Sequence, residues 1–180
     1  MPPHVRDRLT GAATGLIAEL GWAGVSTRVL ADRAGVTPGL VHYHFSSLQA
    51  LLTEAAVGAL TQLVGGVEAL LDQVQSPEEA VDTVLGALSE HDGNDPMSLL
   101  VTETYLATTR DAGLREAVGA VLGGFRERLT AWFAERGVAA PEATAAVLAA
   151  TVDGLLLHRA LLPEPEATAA VLHRLVAVRS

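Results

Sequence analysis

The amino-acid sequence predicts an all-α protein of about nine helices, with a small three-helix head at the N-terminus and a larger helical bundle after it. Three observations support this prediction. Apolar residues recur at spacings of three and four through most of the 180 residues. Capping residues, glycines and prolines divide these runs into pieces of helical length. No stretch of the chain carries a convincing strand pattern.

The first helix is predicted over 5–20, and Gly21 ends it because glycine accepts backbone angles that other residues avoid. Arg6 and Arg8 lie at its start. Two interpretations of these arginines are equally good. Either they belong to an arm that touches phosphate or the minor groove, or they are a solvated start of a helix.

Two short helices joined by a tight turn come next. The second helix is predicted over 26–34, and Gly35 ends it. Thr37 caps a third helix over 37–45, with Pro38 at its first position, where a missing N–H costs nothing. This order is the helix-turn-helix pattern, in which the second of the two helices lies in the DNA major groove.

The side chains of this third helix that do not face inward are candidates for DNA contact, together with an arginine in the first turn of the second helix. A glycine permits close approach of the backbone, a tyrosine hydroxyl can bond phosphate, and an imidazole can donate to phosphate or to a base edge. A metal site between two histidines at i,i+2 is disfavoured, because such residues point apart on a helix. The candidates are Arg28, Thr37, Pro38, Gly39, Leu40, His42, Tyr43 and His44.

The run LADRAGVTPGLVHYHF at 30–45, with Ser47 and two leucines at 51–52 after it, resembles the TetR family of bacterial transcriptional regulators. The close match covers about residues 6–55. The resemblance implies a DNA-binding head over 1–48 and a ligand-binding and dimerisation domain over 49–180. A helix that begins at 47 links the two.

Two residues depart from the family pattern. His42 stands where the pattern usually has Tyr, and Leu48 stands where it usually has Lys. In the family, the region of that Lys grips a phosphate together with the helix N-terminus, so its loss affects DNA affinity more than the fold. The resemblance also implies that His44 has a packing role at the edge of the head as an equal alternative to DNA contact.

The later helices start at clear signals, such as the Ser-Pro-Glu-Glu sequence at 76–79, which places a cap, a proline and two acids at a helix N-terminus. These helices are predicted over about 47–75, 77–90, 97–109, 112–136, 141–162 and 166–178.

The last two helices carry broad apolar faces that fit a partner pair of helices. The resemblance implies a four-helix dimer interface there, and an internal core is the alternative. The predicted interface residues are Val152, Leu155, Leu156, Ala169, Leu172, Leu175 and Val176.

The resemblance further implies a pocket for a small-molecule effector between the fourth and eighth helices. Its candidate residues are apolar or aromatic with a few polar anchors, as in most ligand pockets. They are Met97, Thr102, Glu103, Tyr105, Trp132, Phe133 and His158. This set fits nearly any small apolar effector and does not identify one.

The charge is unevenly divided along the chain. Residues 1–48 hold four arginines and three acids, a net charge of +1, and residues 49–180 hold eight arginines and eighteen acids, a net charge of −10, which together give −9. The chain contains no lysine. A protein with this charge is a poor nonspecific binder of polyanions, but the asymmetry suits a DNA-reading head on an acidic body.

Several functional classes are disfavoured by what the sequence lacks. It has no cysteine, no nucleophile elbow, no phosphate loop and no pair of zinc-binding histidines, so we expect no enzyme, no metal site and no cofactor. Charged residues interrupt the apolar stretch at 143–162, and no secretory signal is evident, so we expect a soluble cytoplasmic protein without a membrane span.

The expected function is therefore a homodimeric regulator that binds a palindromic double-stranded operator and responds to a small molecule. The resemblance to the family implies that it is a repressor. The alternative is a helical small-molecule-binding or interaction protein whose DNA head is weak or inactive. A steep salt dependence of DNA binding is expected to distinguish the two.

Overall fold

The computed structural model describes residues 4–159 and 166–177, and within these ranges it contains nine α-helices and one short 3-10 turn but no strand. The all-α prediction is confirmed. The helices are α1 Val5–Leu20, α2 Thr27–Ala34, α3 Pro38–His44, α4 Leu48–Leu71, α5 Pro77–Ser89, α6 Pro96–Thr108, α7 Ala112–Glu135, α8 Pro141–His158 and α9 Glu166–Val176, and the 3-10 turn is Trp22–Gly24.

Most predicted helix ends lie within one or two residues of the observed ones, but α4 stops at Leu71 instead of about 75. The chain leaves the helix there because Val74 is buried in a core and Ser76 must be extended to cap α5. The Ser76 hydroxyl accepts a hydrogen bond from the N–H of Glu79 at 3.1 Å. The predicted ends of the last two helices, at 162 and 178, lie outside the described residues.

The chain divides into two compact units, which are formed by 1–62 with 96–118 and by 63–95 with 119–180. The units do not follow the division at residue 48, which stays a prediction about function. α6 belongs to the first unit, with the helices of the predicted head.

The core of the first unit is built from α1, α2, α3, the first half of α4, and α6. α1 packs against both α6 and α2. Leu9, Ile17, Leu30 and Leu52 are fully buried in this core, and α6 contributes Leu100. The three-helix head therefore has α6 as an integral support.

The core of the second unit lies among α5, the second half of α7, α8 and α9, with α9 packed on α5. Leu172 and Val176 face this core, with 3% and 0% of their surface exposed, so the prediction that these two form a dimer interface is wrong. They lie four residues apart, on the side of α9 that faces inward. Phe133 is likewise buried in this core.

By length and composition, α4 is apolar enough to cross a membrane, and 28% of the apolar stretch is buried. This is weak evidence for a span, because core helices pass the same test. The first half of α4 places Leu51, Leu52, Ala55 and Ala59 in the core of the first unit.

Candidate nucleic-acid interface

The turn between α2 and α3 is fixed by hydrogen bonds that close the end of α2. Gly35 adopts a left-handed conformation with φ 62° and ψ 41°. The N–H of Gly35 donates to the carbonyl of Asp32 at 3.2 Å, and the N–H of Val36 donates to that of Ala31 at 3.0 Å. This pair of bonds is the motif that glycine favours at a helix end. It fixes the direction in which α3 leaves the turn.

Arg8 supports the same turn from α1. Its Nη2 donates to the carbonyl oxygen of Gly35 at 2.8 Å and also to that of Ala34. Ala34 is the last residue of α2 and Gly35 follows it, so neither carbonyl has a partner within the helix and both need donors from elsewhere. The guanidinium of Arg8 is therefore used inside the head, and neither interpretation from the sequence anticipated this role.

Arg6 joins α1 to the far end of α3 and to α4. Its guanidinium donates through Nε to Glu54 Oε1 at 2.9 Å and through Nη1 to the carbonyl of His44 at 3.0 Å. It also lies over the ring of Phe45, 4.3 Å from the centroid. This arginine holds the last turn of α3 in place.

Arg33 is paired across the head with Glu19. Nη1 lies 2.8 Å from Oε1, and Nη2 lies 2.6 Å from Oε2. The hydrogen bond to Arg33 lowers the pKa of Glu19 below its ordinary value. The same bond raises the pKa of Arg33 above its ordinary value. The pair fixes α2 against α1, and it occupies a third arginine of the head.

Arg28 differs from the three other arginines of the head. It is exposed in the first turn of α2, and its side chain has no hydrogen bond or ion pair within the described part of the chain. A free guanidinium in the first turn of the helix that precedes α3 is well suited to bind a phosphate or a guanine edge.

The outer face of α3 is exposed along its length. Tyr43 has 81% of its surface exposed, and its ring packs edge-on against His44 with centroids 5.1 Å apart. The hydroxyl of Thr37 makes no capping bond to α3. No atom lies closer than 4.0 Å to the place where a Cβ would stand on Gly39. Val41 faces the core instead, at 1% exposure.

Seven of the eight predicted DNA-contacting residues are exposed, namely Arg28, Thr37, Pro38, Gly39, Leu40, His42 and Tyr43. His44 is half-buried, and Arg6 binds its carbonyl. This placement favours the packing role for His44.

The start of α4 follows α3 after three residues. The hydroxyl of Ser47 accepts from the N–H of Ala50 at 3.0 Å, which caps the helix. Leu48 is half-buried against the core of the first unit. The exposed Gln49 accepts a hydrogen bond from the indole Nε1 of Trp22 at 3.1 Å. Sequence reasoning missed this contact because its partners lie 27 residues apart.

Comparisons with known proteins agree with this geometry. The model of bacterial regulatory proteins of the tetR family matches residues 9–55. The model of the tetracyclin repressor-like C-terminal domain matches residues 75–178, which is more than half of the chain. This chain belongs to the TetR family. It is a DNA-binding transcriptional regulator.

Individual known proteins resemble this chain over different lengths. The regulator SCO7518 of Streptomyces coelicolor A3(2) is 30% identical, with a TM-score of 0.79 over 98% of this chain and 100% of that one. The multidrug binding protein EbrR, solved in complex with imidazole, is 31% identical, with a TM-score of 0.70 over 99% and 98% of the two chains. The repressor KstR2 of Mycolicibacterium smegmatis is 32% identical over 78 residues, 43% of this chain and 38% of KstR2.

In this TetR-family chain, four of the predicted effector-binding residues lie on α6 in the first unit. Met97 packs against the core of that unit. The hydroxyl of Thr102, on an exposed residue, donates to the carbonyl of Ser98 within the helix at 2.9 Å. Glu103 accepts a backbone hydrogen bond from Trp22. Tyr105 is half-buried.

The other three predicted effector-binding residues lie in the second unit. Trp132 borders a shallow hollow, whose enclosed part is about 20 Å³, enough for roughly one water molecule. Phe133 is buried in the core, and His158 is exposed at the end of α8. The hollow is lined by Glu68, Leu71, Asp72, Phe125, Arg128 and Trp132.

The predicted dimer face of this TetR-family chain is only partly exposed within one protomer. Val152, Leu155 and Ala169 are half-buried, Leu156 is buried, and Leu175 is exposed. Sequence reasoning missed three exposed apolar residues of the same two helices, Val147, Leu157 and Val171.

Proposed function

We propose that this chain is a homodimeric repressor whose two heads bind a palindromic operator, and that a small-molecule effector releases it. The observation that carries the proposal is the exposed face of α3, together with the free guanidinium of Arg28 in the first turn of α2. An aromatic hydroxyl, an imidazole, a threonine hydroxyl and an open glycine lie along that face. Such groups bond phosphates and base edges in a major groove.

Within the proposed contact, the residues have different tasks. Arg28 neutralises a phosphate or pairs with a guanine. Tyr43 and Thr37 bond phosphate oxygens, His42 donates to a phosphate or a base edge, and Gly39 lets the backbone approach closely. Arg6, Arg8 and Arg33 act indirectly, because their bonds inside the head hold α2 and α3 in position.

Dimerisation follows from the size of the reading head. One recognition helix reads only a few base pairs, whereas two heads about 34–36 Å apart read two half-sites of a palindrome. Exposed apolar residues of α8 and α9 support a partner surface there. We assign the proposed dimer face to Val147, Leu157, Val171 and Leu175 with the half-buried Val152, Leu155 and Ala169.

The repressor and effector parts of the proposal are supported by the relatives. The C-terminal match is to a tetracyclin repressor-like domain, KstR2 is a repressor, and EbrR is a multidrug binding protein. Release follows if the effector favours a spacing of the heads that the operator does not accept. We propose a cytoplasmic location and no catalytic activity, in keeping with a regulator of bacterial genes.

Fluorescence anisotropy with labelled DNA from the chain's own promoter region tests the proposal, with scrambled DNA of equal length for comparison. We expect sequence-selective binding with two protomers, or a multiple of two, per site. Arg28→Ala and Tyr43→Ala should each weaken it about tenfold or more, since a good contact contributes roughly 1–3 kcal/mol. Arg110→Ala removes an exposed arginine outside the helix-turn-helix and is the control. Unchanged affinity in both head variants would contradict the assignment of α2 and α3.

A second candidate function is a small-molecule-binding protein with a weak DNA head. Two observations favour it: Leu48 stands where the family has Lys, and three of the head's four arginines have internal partners. Weak binding that is equal for promoter and scrambled DNA, repeated across neighbouring promoters, would support this candidate over the repressor.

A further inference from the structure

Three groups from distant parts of the sequence meet at the corner between α1 and α2, inside the first unit. The backbone N–H of Trp22 donates to Glu103 Oε2 of α6 at 2.9 Å. The indole Nε1 of the same residue donates to Gln49 Oε1 in the first turn of α4 at 3.1 Å. Trp22 therefore connects α6 with the start of α4 through two hydrogen bonds.

At this corner between α1 and α2, one backbone N–H group needs a hydrogen-bond acceptor from another part of the chain. Gly21 leaves α1 with φ 73° and ψ 163°, and its own N–H is satisfied by the carbonyl of Ile17 at 3.0 Å. The next N–H, that of Trp22, lies at the start of a 3-10 turn, where helices leave their donors unsatisfied. The partly buried carboxylate of Glu103 accepts this bond across 81 residues of sequence.

The fit between the corner and α6 is close. A Cβ placed on Gly21 would lie 3.1 Å from Glu103 Oε2. Leu100, one turn earlier on α6, is buried in the same core as Leu16 and Ile17 of α1. The carboxylate thus stands on a helix whose position against α1 is already fixed by packing.

The other end of the connection lies beside the proposed DNA-binding surface. Gln49 is the second residue of α4, and only three residues separate α4 from the end of α3. The first turn of a helix favours a phosphate, and in α4 Ser47 caps one N–H of that turn, the N–H of Ala50. A bond from Trp22 to Gln49 therefore helps to set where the first turn of α4 lies relative to α3.

We propose that Glu103 is a positioning residue for operator binding. Its carboxylate fixes the backbone of Trp22, and this fixes the position of the Trp22 indole. The indole in turn bonds Gln49, so Glu103 helps to position the start of α4 beside the recognition helix α3. The assignment rests on the proposed function, since it requires that the head bind DNA. It replaces the predicted role of Glu103 as an effector anchor.

The test measures binding of promoter DNA by four single variants and one double variant of the protein. Glu103→Ala removes the acceptor and should weaken binding about tenfold, because a hydrogen bond to a charged group is lost. Glu103→Gln keeps an acceptor oxygen and should stay within about twofold of the parent. Trp22→Phe and Gln49→Ala should each weaken binding by about threefold, and the double variant should lose no more than either single one.

Two controls separate positioning from general effects. Glu116→Ala removes an exposed carboxylate of the same unit and should leave affinity unchanged. Circular dichroism should show equal helicity in all variants. Gln49 is exposed, so its variant repeats the test without disturbing the core.

The results that would overturn the assignment are specific. If Glu103→Ala binds promoter DNA as tightly as the parent, or if Glu103→Gln loses as much as Glu103→Ala, the acceptor is not what positions the head. If the double variant loses as much affinity as the two single variants together, then Trp22 and Gln49 do not act through one shared hydrogen bond. A parent protein that binds no promoter DNA would instead overturn the proposed function, and this assignment with it.

Discussion

The carboxylate of Glu19 and the guanidinium of Arg33 face each other along two hydrogen bonds, of 2.8 and 2.6 Å, which fix α2 to α1. Both side chains are about half exposed. The pair supports the helix-turn-helix by joining α2 to α1, and it occupies an arginine that would otherwise be free to bind phosphate. Its energetic contribution is expected to be small, because exposed ion pairs are screened by water and salt.

The stabilisation from this pair should disappear in acid. The pKa of Glu19 is lowered in the folded chain, so its contribution is present above the ordinary pKa of a glutamate and is lost as the pH falls through the lowered value. The raised pKa of Arg33 has no effect in this range, because that group stays charged. Glu19→Gln should therefore be less stable than the parent at about pH 7, and this difference in stability should be smaller at about pH 3.

Denaturant unfolding of both proteins at the two pH values measures this difference. Glu116→Gln, which alters an exposed carboxylate without a partner in the described chain, is the control and should show no such change with pH. A stability gap for Glu19→Gln that is equally large at both pH values would mean that the charge of Glu19 is not its cause.

Operator binding should depend only weakly on salt, contrary to the steep dependence expected from the sequence. Within the described residues of the head, Arg28 is the arginine without a partner, which gives about one permanent cation per head and two per dimer. The slope of log affinity against log salt should then be about −1.8, or roughly a tenfold loss between about 50 and 200 mM. Anisotropy titrations at several salt concentrations measure the slope. A slope typical of four or more phosphates would show that at least one further arginine of each head, such as Arg6 or Arg33, leaves its partner on DNA.

Leu48→Lys should restore a cation at the start of α4. Leu48 is half-buried against the core of the first unit, and a lysine can keep its aliphatic stem there while its ammonium reaches solvent. Operator affinity should rise, and the salt slope should steepen by about 0.9 for each head. Leu48→Met keeps an apolar side chain of similar size and should change neither quantity. If the lysine variant also changes neither, the start of α4 does not face phosphate.

The positions of the helices could be predicted from the sequence because the residues that start and end a helix lie within it or next to it. Ser76 and Pro77 mark the start of α5, and Gly35 marks the end of α2, each within a few residues of the helix concerned. The exposed face of α3 was predictable for the same reason, since a short helix with an inward Val41 leaves the remaining side chains outside.

The sequence was insufficient wherever a role depends on a distant partner. Arg6 meets Glu54 across 48 residues, and Glu103 meets Trp22 across 81. Spacing along the chain carries no signal for either contact. In α9, apolar residues lie on both sides, so the pattern could not show that Leu172 faces the core and Val171 faces outward.

The two sides of α9 give the sharpest test of the proposed dimer. Val171 has 45% of its surface exposed in a single protomer, whereas its neighbour Leu172 has 3%. Val171→Asp should convert the dimer to a folded monomer, because a charge in an apolar interface loses its hydration without a partner. Leu172→Ala should instead destabilise the protomer by about 2–5 kcal/mol through a cavity in the core.

Sedimentation equilibrium over a wide concentration range, with thermal unfolding alongside it, separates these two outcomes. Val171→Ala removes apolar area without adding charge, and it should weaken association less than the aspartate does. If Val171→Asp forms dimers with the same association constant as the parent, the dimer interface does not include Val171. Operator affinity should fall together with dimerisation in Val171→Asp, since a single head reads only one half of a palindrome.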